Sequence, residues 1–123
     1  MKQKRLITVL NAVTATTTSS AQNISGAKKV TFFFKRENHS AGSSAFKVSG
    51  SIDGTNFVDL NSLIEDLTNT NVQDYTRVTT VTLSADGTKV ASLDLTHLCL
   101  ESIKVTVTEV TDGVHSCVMM VEA

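Results

Sequence analysis

Apolar and polar residues alternate with a period of two along several short stretches of this chain. That period constrains the fold more than any other feature, because it is the repeat of a half-buried strand. Residues 29–35 put Val30, Phe32 and Phe34 on one side and Lys29, Thr31, Phe33 and Lys35 on the other. Residues 45–52 alternate in the same way, with Phe46, Val48 and Ile52 inward and Lys47, Ser49 and Ser51 outward. The side-chain inventory agrees. Among 123 residues are 18 Thr, 15 Val and 5 Ile, which are stiff at χ1 and suit a pleated surface, and there is no Pro to interrupt a ladder.

The same reading extends along the chain. Residues 5–13 alternate, with Ile7, Val9 and Val13 on one face and Leu6, Thr8, Leu10 and Ala12 on the other, so both faces carry apolar groups. The basic start before Leu6 resembles that of a secretory leader, but Asn11 interrupts the apolar run early, and a first strand is the better reading. Residues 14–25 read as a loop leading into a weak edge strand. Strands are predicted over 76–83, 90–95, 101–110 and 114–121, and Asp53-Gly54, Asp86-Gly87 and Asp112-Gly113 read as tight hairpin turns. Leu60, Leu63, Ile64 and Leu67 fall at helical spacing, and Ser62 with Glu65 can form a capping box, so a short helix is predicted over 60–67. The expected fold is all-β: an antiparallel β-sandwich, jelly-roll-like, of eight or nine strands with at most one short helix, in one domain over 1–123.

The terminal hairpin predicts a surface. A two-residue turn at Asp112-Gly113 sets Val107 opposite Val118 and Val105 opposite Met120, so Ile103, Val105, Val107, Val118 and Met120 form the core face. His115, Cys117, Met119 and Val121 then fall on the opposite face, which is too apolar to be fully solvated. Either another layer of the chain or a neighbouring subunit covers it, and Phe33 invites the same two readings.

Candidate chemistry is sparse. His97-Leu98-Cys99 and His115-Ser116-Cys117 each place two metal-ligating side chains on one side of a strand, as tetrahedral zinc would need. Their spacing is not that of structural zinc sites, and the register does not bring the two pairs together. No metal or other cofactor is therefore expected, and Cys99 and Cys117 read as reduced thiols. No Gly-x-Ser-x-Gly elbow is present, His39 sits in a Ser/Gly loop, and Glu65 and Asp66 diverge, so no catalytic constellation is predicted. The formal charge of −1 and the small basic clusters argue against direct nucleic-acid contact. No apolar stretch approaches the length of a membrane-spanning helix. The absence of Trp and the single Tyr weaken a carbohydrate-binding reading.

The run Phe46-Lys47-Val48-Ser49-Gly50-Ser51-Ile52-Asp53-Gly54-Thr55-Asn56-Phe57-Val58-Asp59-Leu60 resembles a strand-turn-strand of small β-sandwich virion proteins of tailed bacteriophages. The nearest fit in overall layout is the head decoration, or capsid cement, type. That resemblance implies a structural role on the capsid exterior after assembly in the host cytoplasm. It implies the major capsid protein as partner, with the chain itself as a trimer or dimer. The segment 1–20 and the C-terminal strand 114–123 are the expected contact elements, with Leu6, Ile7, Val9, Leu10, Phe33, His115, Cys117, Met119 and Val121 as interface residues. The alternative is a receptor- or glycan-binding module of a phage tail or cell-surface protein, since the fold does not decide between them.

Overall fold

Twelve strands form from these alternating runs in the computed structural model, which describes residues 4–60, 64–66, 76–78, 80–96, 98–109 and 112–123. They are β1 (Lys4–Val13), β2 (Thr17–Thr18), β3 (Gln22–Asn23), β4 (Lys29–Glu37), β5 (Ser44–Ser51) and β6 (Val58–Asp59). They continue as β7 (Ile64–Asp66), β8 (Thr76–Val78), β9 (Val81–Leu83), β10 (Gly87–Asp94), β11 (Ser102–Glu109) and β12 (Val114–Glu122). One sheet has the order β1-β12-β4-β10-β7-β8. The other runs β2-β11-β5-β6, with β3 also on β11 and β9 also on β5. Every pairing is antiparallel.

The connectivity is that of a jelly roll. Counting β2 and β3 as one interrupted strand and setting aside β6–β8, the eight principal strands alternate between the two sheets except that the fourth and fifth share one. The first, eighth, third and sixth make one sheet and the second, seventh, fourth and fifth the other. The remaining short strands lie between β5 and β9 and extend the sheets at their far edges.

The alternation does what the sequence predicts at β4 and β5. Val30, Phe32 and Phe34 are buried from one sheet, Phe46 and Val48 from the other. The Phe34 and Phe46 rings stack across the gap with centroids 4.7 Å apart. Each fully buried aromatic contributes roughly 1.5–3 kcal/mol by removal from water.

Four expectations are corrected. Residues 64–66 are a strand, not part of a helix: Ile64, Glu65 and Asp66 pair with Leu93, Ser92 and Ala91 of β10. Ladder bonds offered by the edge of β10 outweigh a helical period spanning only two turns, whose nucleation is costly. Ser62, the other half of the expected capping box, lies outside the described residues. None of the Asp-Gly pairs is a two-residue hairpin turn, although Asp53-Gly54 does lie in the loop of the β5–β6 hairpin. Asp86-Gly87 and Asp112-Gly113 join strands of different sheets. Between β5 and β6 the chain needs a longer loop, organised by the Asp53 carboxylate, which accepts from Thr55 N, Asn56 N and Ser51 Oγ at 2.8–2.9 Å. Ile52 begins that loop and is exposed. The predicted strand 76–83 is two strands, β8 and β9, one in each sheet.

The fourth correction reverses a face. β11 and β12 do not pair: β11 lies against β5 and β12 lies between β1 and β4. Both strands point alternate residues into the same core from opposite sheets. Ile103, Val105 and Val107 are buried from one side, His115, Cys117, Met119 and Val121 from the other. The layer that covers the second set is the chain's own. β1 is also resolved. Register shifts after Thr8 and after Leu10 let Leu10 join Ile7 and Val13 on the inner side, which is why its two faces read as equally apolar.

Candidate functional site

Two regions stand out, one sealed and one open. The sealed region closes one end of the sandwich. Arg36 follows the inward positions Phe32 and Phe34 on β4, so its guanidinium enters the interior and is fully buried. It donates to four backbone carbonyls. Nη1 reaches Gly42 O at 3.0 Å and Leu83 O at 3.1 Å; Nη2 reaches Ala41 O at 3.1 Å and Asp112 O at 2.8 Å. The Asp112 carboxylate supplies the countercharge at 3.7 Å. That carboxylate also accepts from Ser40 Oγ and from Ser40 N at 2.9 Å, and these bonds hold its pKa below the ordinary value.

His115 stands directly across from Arg36 in the β12–β4 register and is also fully buried. Its Nδ1 faces Val13 O at 3.2 Å, an acceptor only, so Nδ1 donates there. Its Nε2 then accepts from Ser44 Oγ at 2.6 Å. Gly113 makes room for this packing: a Cβ there would lie 2.9 Å from Arg36 Nε, and its φ of +121° suits glycine. The Ser44–His115 pair has the separation of a nucleophile and its base. Both residues are fully buried, and Nδ1 is oriented by a carbonyl rather than an acid, so no substrate reaches the hydroxyl. The cluster ties the β4–β5 loop, the β9 end and the β11–β12 connection to one guanidinium. His39 adds a second tie, with Nδ1 at 2.6 Å from Asp86 Oδ1.

The open region is the outer face of the β1-β12-β4-β10 sheet. Leu6 is 66 % exposed, Phe33 51 % and Met120 36 %. With Thr31 and Val118 they bound a shallow apolar groove of about 210 Å³. Lys4, Lys29, Thr31, Met120 and Glu122 line an adjoining polar hollow at the strand ends. The outer face of the opposite sheet is of another kind. Thr18 and Thr106 share a hydroxyl contact at 3.0 Å, Lys47 approaches Asp59 at 4.0 Å, and Lys104 sits 4.2 Å over the Phe57 ring.

The predicted interface residues therefore divide. Leu6 and Phe33 lie together on the open face, and Ile7 and Val9 are half-buried along β1. Leu10, His115, Cys117, Met119 and Val121 are core residues and are not available to a partner. Burial pushes the Cys117 thiol up to about 12, while Cys99 is exposed in a loop. Of the two His-x-Cys pairs, His97 lies outside the described residues. Val118 and Met120 belong to the open face, and the hairpin register had assigned them to the core. Arg36 reads in sequence as one more surface cation beside Lys35. Its inward phase, two residues after Phe34, was the signal available.

No family model and no curated protein matches the sequence. Solved structures do match in fold. The SPBc2 prophage-derived protein YomS superposes with a TM-score of 0.70 at 15 % identity, over 100 % of this chain and 96 % of that one. The PBSX exported protein XepA gives 0.71 at 13 % identity over 99 % of this chain, which spans 38 % of its length. A chain of infectious bursal disease virus, Gx strain, gives 0.56 at 11 % identity, with 99 % of this chain and 33 % of that one covered. At such identities the likeness is one of fold.

Proposed function

We propose that this chain is a structural protein of a bacteriophage virion that decorates the capsid exterior by binding the lattice of the major capsid protein. The carrying observation is the contrast between the two sheets. One outer face carries Thr, Lys and Asp side chains, with Ile52 and Val58 exposed singly at its β5–β6 edge, whereas the other gathers Leu6, Phe33, Val118 and Met120 into one groove on the jelly roll. An exposed apolar patch on a β-branched framework is what a protein needs when its task is to add interface area. Three further points support the reading. The fold is shared with a prophage-derived protein and with a chain of a virus particle. The Ser–His pair is sealed from solvent, which favours a non-enzyme. The 46–60 run resembles a strand-turn-strand of small β-sandwich virion proteins of tailed bacteriophages, and the overall layout that of the decoration type.

The test is co-sedimentation of purified chain with phage heads that lack it. Wild type is expected to pellet with the heads. Phe33→Glu, which puts a charge at the centre of the patch, is expected to remain in the supernatant. Heads that bind neither protein, or both equally, would refute the assignment of this face to the capsid.

A further inference from the structure

We infer that β1 pairs edge to edge with β1 of a second copy of this chain, antiparallel, about a two-fold axis perpendicular to the sheet that passes between the two Leu6 residues. The inference concerns the edge of the sheet, not its open face. It rests on the reading above only for what the paired edge does on a capsid.

β1 ends its sheet, and among the described residues β12 is its one strand partner. The backbone N–H and C=O groups along its other side are a template for a further strand. The other strands that pair on one side are shorter: β2, β3 and β6 have two residues each, β8 and β9 three. β1 has ten. Its first half, Lys4–Thr8, pairs with β12 residue for residue, and irregularities follow only after Thr8. The charges of this segment do not ask for an acidic partner. Lys4 stands opposite Glu122, and Arg5 Nη2 donates to Asn23 O at 2.8 Å. What the segment leaves outside is Leu6, 66 % exposed. A second copy brings the same leucine to the same height.

The register follows from charge and from the irregularities. Residues directly opposite in an antiparallel pair point to the same side of the sheet, so a two-fold perpendicular to it must centre on a residue. Centred on Lys4 or Arg5, it sets that cation against its own copy, a like-charge pair that destabilises. Centred on Ile7 or beyond, it runs the second strand into the register shifts after Thr8 and after Leu10, near which Ala12 has a φ of +52°. Centred on Leu6, it pairs the regular segment with itself. Lys4 faces Thr8 of the second copy, Arg5 faces Ile7, and Leu6 faces Leu6. Parallel pairing sets Lys4 against Lys4 and Arg5 against Arg5, and incurs the repulsion twice.

This pairing covers the flank of Leu6 and leaves Phe33, Val118 and Met120 facing outward. It joins two six-stranded sheets into one, with both apolar grooves on the same side. A lattice that takes one groove then takes two, and the second engagement is intramolecular.

Cross-linking reads the register. Single cysteines are added to a Cys99→Ser chain, whose remaining thiol, Cys117, is buried. Opposite Cβ atoms in such a pair lie about 5 Å apart, within the span of a short bis-maleimide. The control is Ile52→Cys, exposed in the β5–β6 loop. At about 0.1 mM chain, Leu6→Cys is expected to cross-link on the order of tenfold faster than the control, because pairing holds the two thiols at a millimolar effective concentration. Lys4→Cys and Thr8→Cys are expected to cross-link at that faster rate when mixed and at the control rate when alone. Unchanged melting curves for all the variants show that the fold is intact.

Leu6→Cys reacting at the control rate would overturn the inference. So would Lys4→Cys and Thr8→Cys that cross-link no faster mixed than alone, or Leu6→Cys cross-links that form only to capsid protein on phage heads. The virion reading fails separately. A chain that cross-links in this register but ignores phage heads would sink it and leave the edge pairing standing; a chain that binds heads but cross-links at the control rate would do the reverse.

Discussion

The middle and the end of β4 solve opposite problems. Arg36 carries a full charge into the interior, where four carbonyls and the Asp112 carboxylate surround it. Phe33, three residues earlier, carries a large aromatic ring out to solvent, where it is half exposed. The inward charge has partners within one chain for both Nη1 and Nη2, with Nε buried and unpartnered; the outward ring stays half exposed. A buried polar cluster with its partners in place is a device for holding loops together. An apolar ring left outside on an otherwise alternating strand is a demand on something else.

The largest effect should come from breaking the sealed end. Arg36→Ala leaves the carbonyls of Ala41, Gly42, Leu83 and Asp112 without their donor and strands the Asp112 carboxylate. Removing one side of such a buried pair costs about 3–5 kcal/mol. Urea unfolding should show the midpoint falling accordingly, against a total stability of roughly 5–15 kcal/mol for a domain of this kind. A loss of under about 0.5 kcal/mol would mean that the guanidinium is not organising the three connections.

Ser44→Ala tests the next layer. It leaves His115 Nε2 with no donor in a site closed to water, a cost of about 1–3 kcal/mol. The same experiment checks the structural reading of the Ser–His pair. A chain that loses stability but keeps its binding to phage heads has a buried tie there and nothing more.

How much of this was legible beforehand differs between the same two regions. β4, β5 and β10–β12 follow from alternation, because strand side chains have a fixed period and the core selects one phase of it. The jelly-roll class follows from strand number and spacing. The phase of β12 does not. Val114 to Val121 is apolar on both faces, with His115, Cys117, Met119 and Val121 on one side and Val118 and Met120 on the other. The choice rested on Asp112-Gly113 being a two-residue turn, and a crossover between sheets removes that premise. Exposed Phe33 was readable because its flanks are Thr31 and Lys35. Arg36 was not, because local sequence does not say when a charge will find four carbonyls from distant segments.

A smaller effect separates the two regions by pH. The carboxylates of Asp112 and Asp86 are held below the ordinary 3.8 by hydrogen bonds from the segment 38–41, those of Asp112 coming mainly from Ser40 and those of Asp86 from His39. A depressed carboxyl binds fewer protons in the folded chain than in the unfolded one. Its stabilisation is therefore present above 3.8 and is lost as pH falls below it. Stability measured by urea unfolding should decline as pH falls through this window, and Asp112→Asn should flatten the decline. Both groups are solvent-facing, so the slope should be modest. A slope unchanged by Asp112→Asn would mean that the Ser40 contacts do not persist in solution.

The smallest effect sharpens the comparison most. Phe33→Glu changes an outward position that contributes little to the core of its own chain, so unfolding stability should move by no more than about 0.5 kcal/mol. The same substitution is expected to abolish assembly, whichever partner covers the face. Arg36→Ala should do the converse, weakening the fold while leaving the outer face chemically unchanged. If Phe33→Glu instead costs several kcal/mol under monomeric conditions, the ring is part of the chain's own packing. The open face would then be a second core layer, and the search for a partner should move elsewhere, with the exposed Ile52 and Val58 beside the β5–β6 loop as the next apolar surface to test.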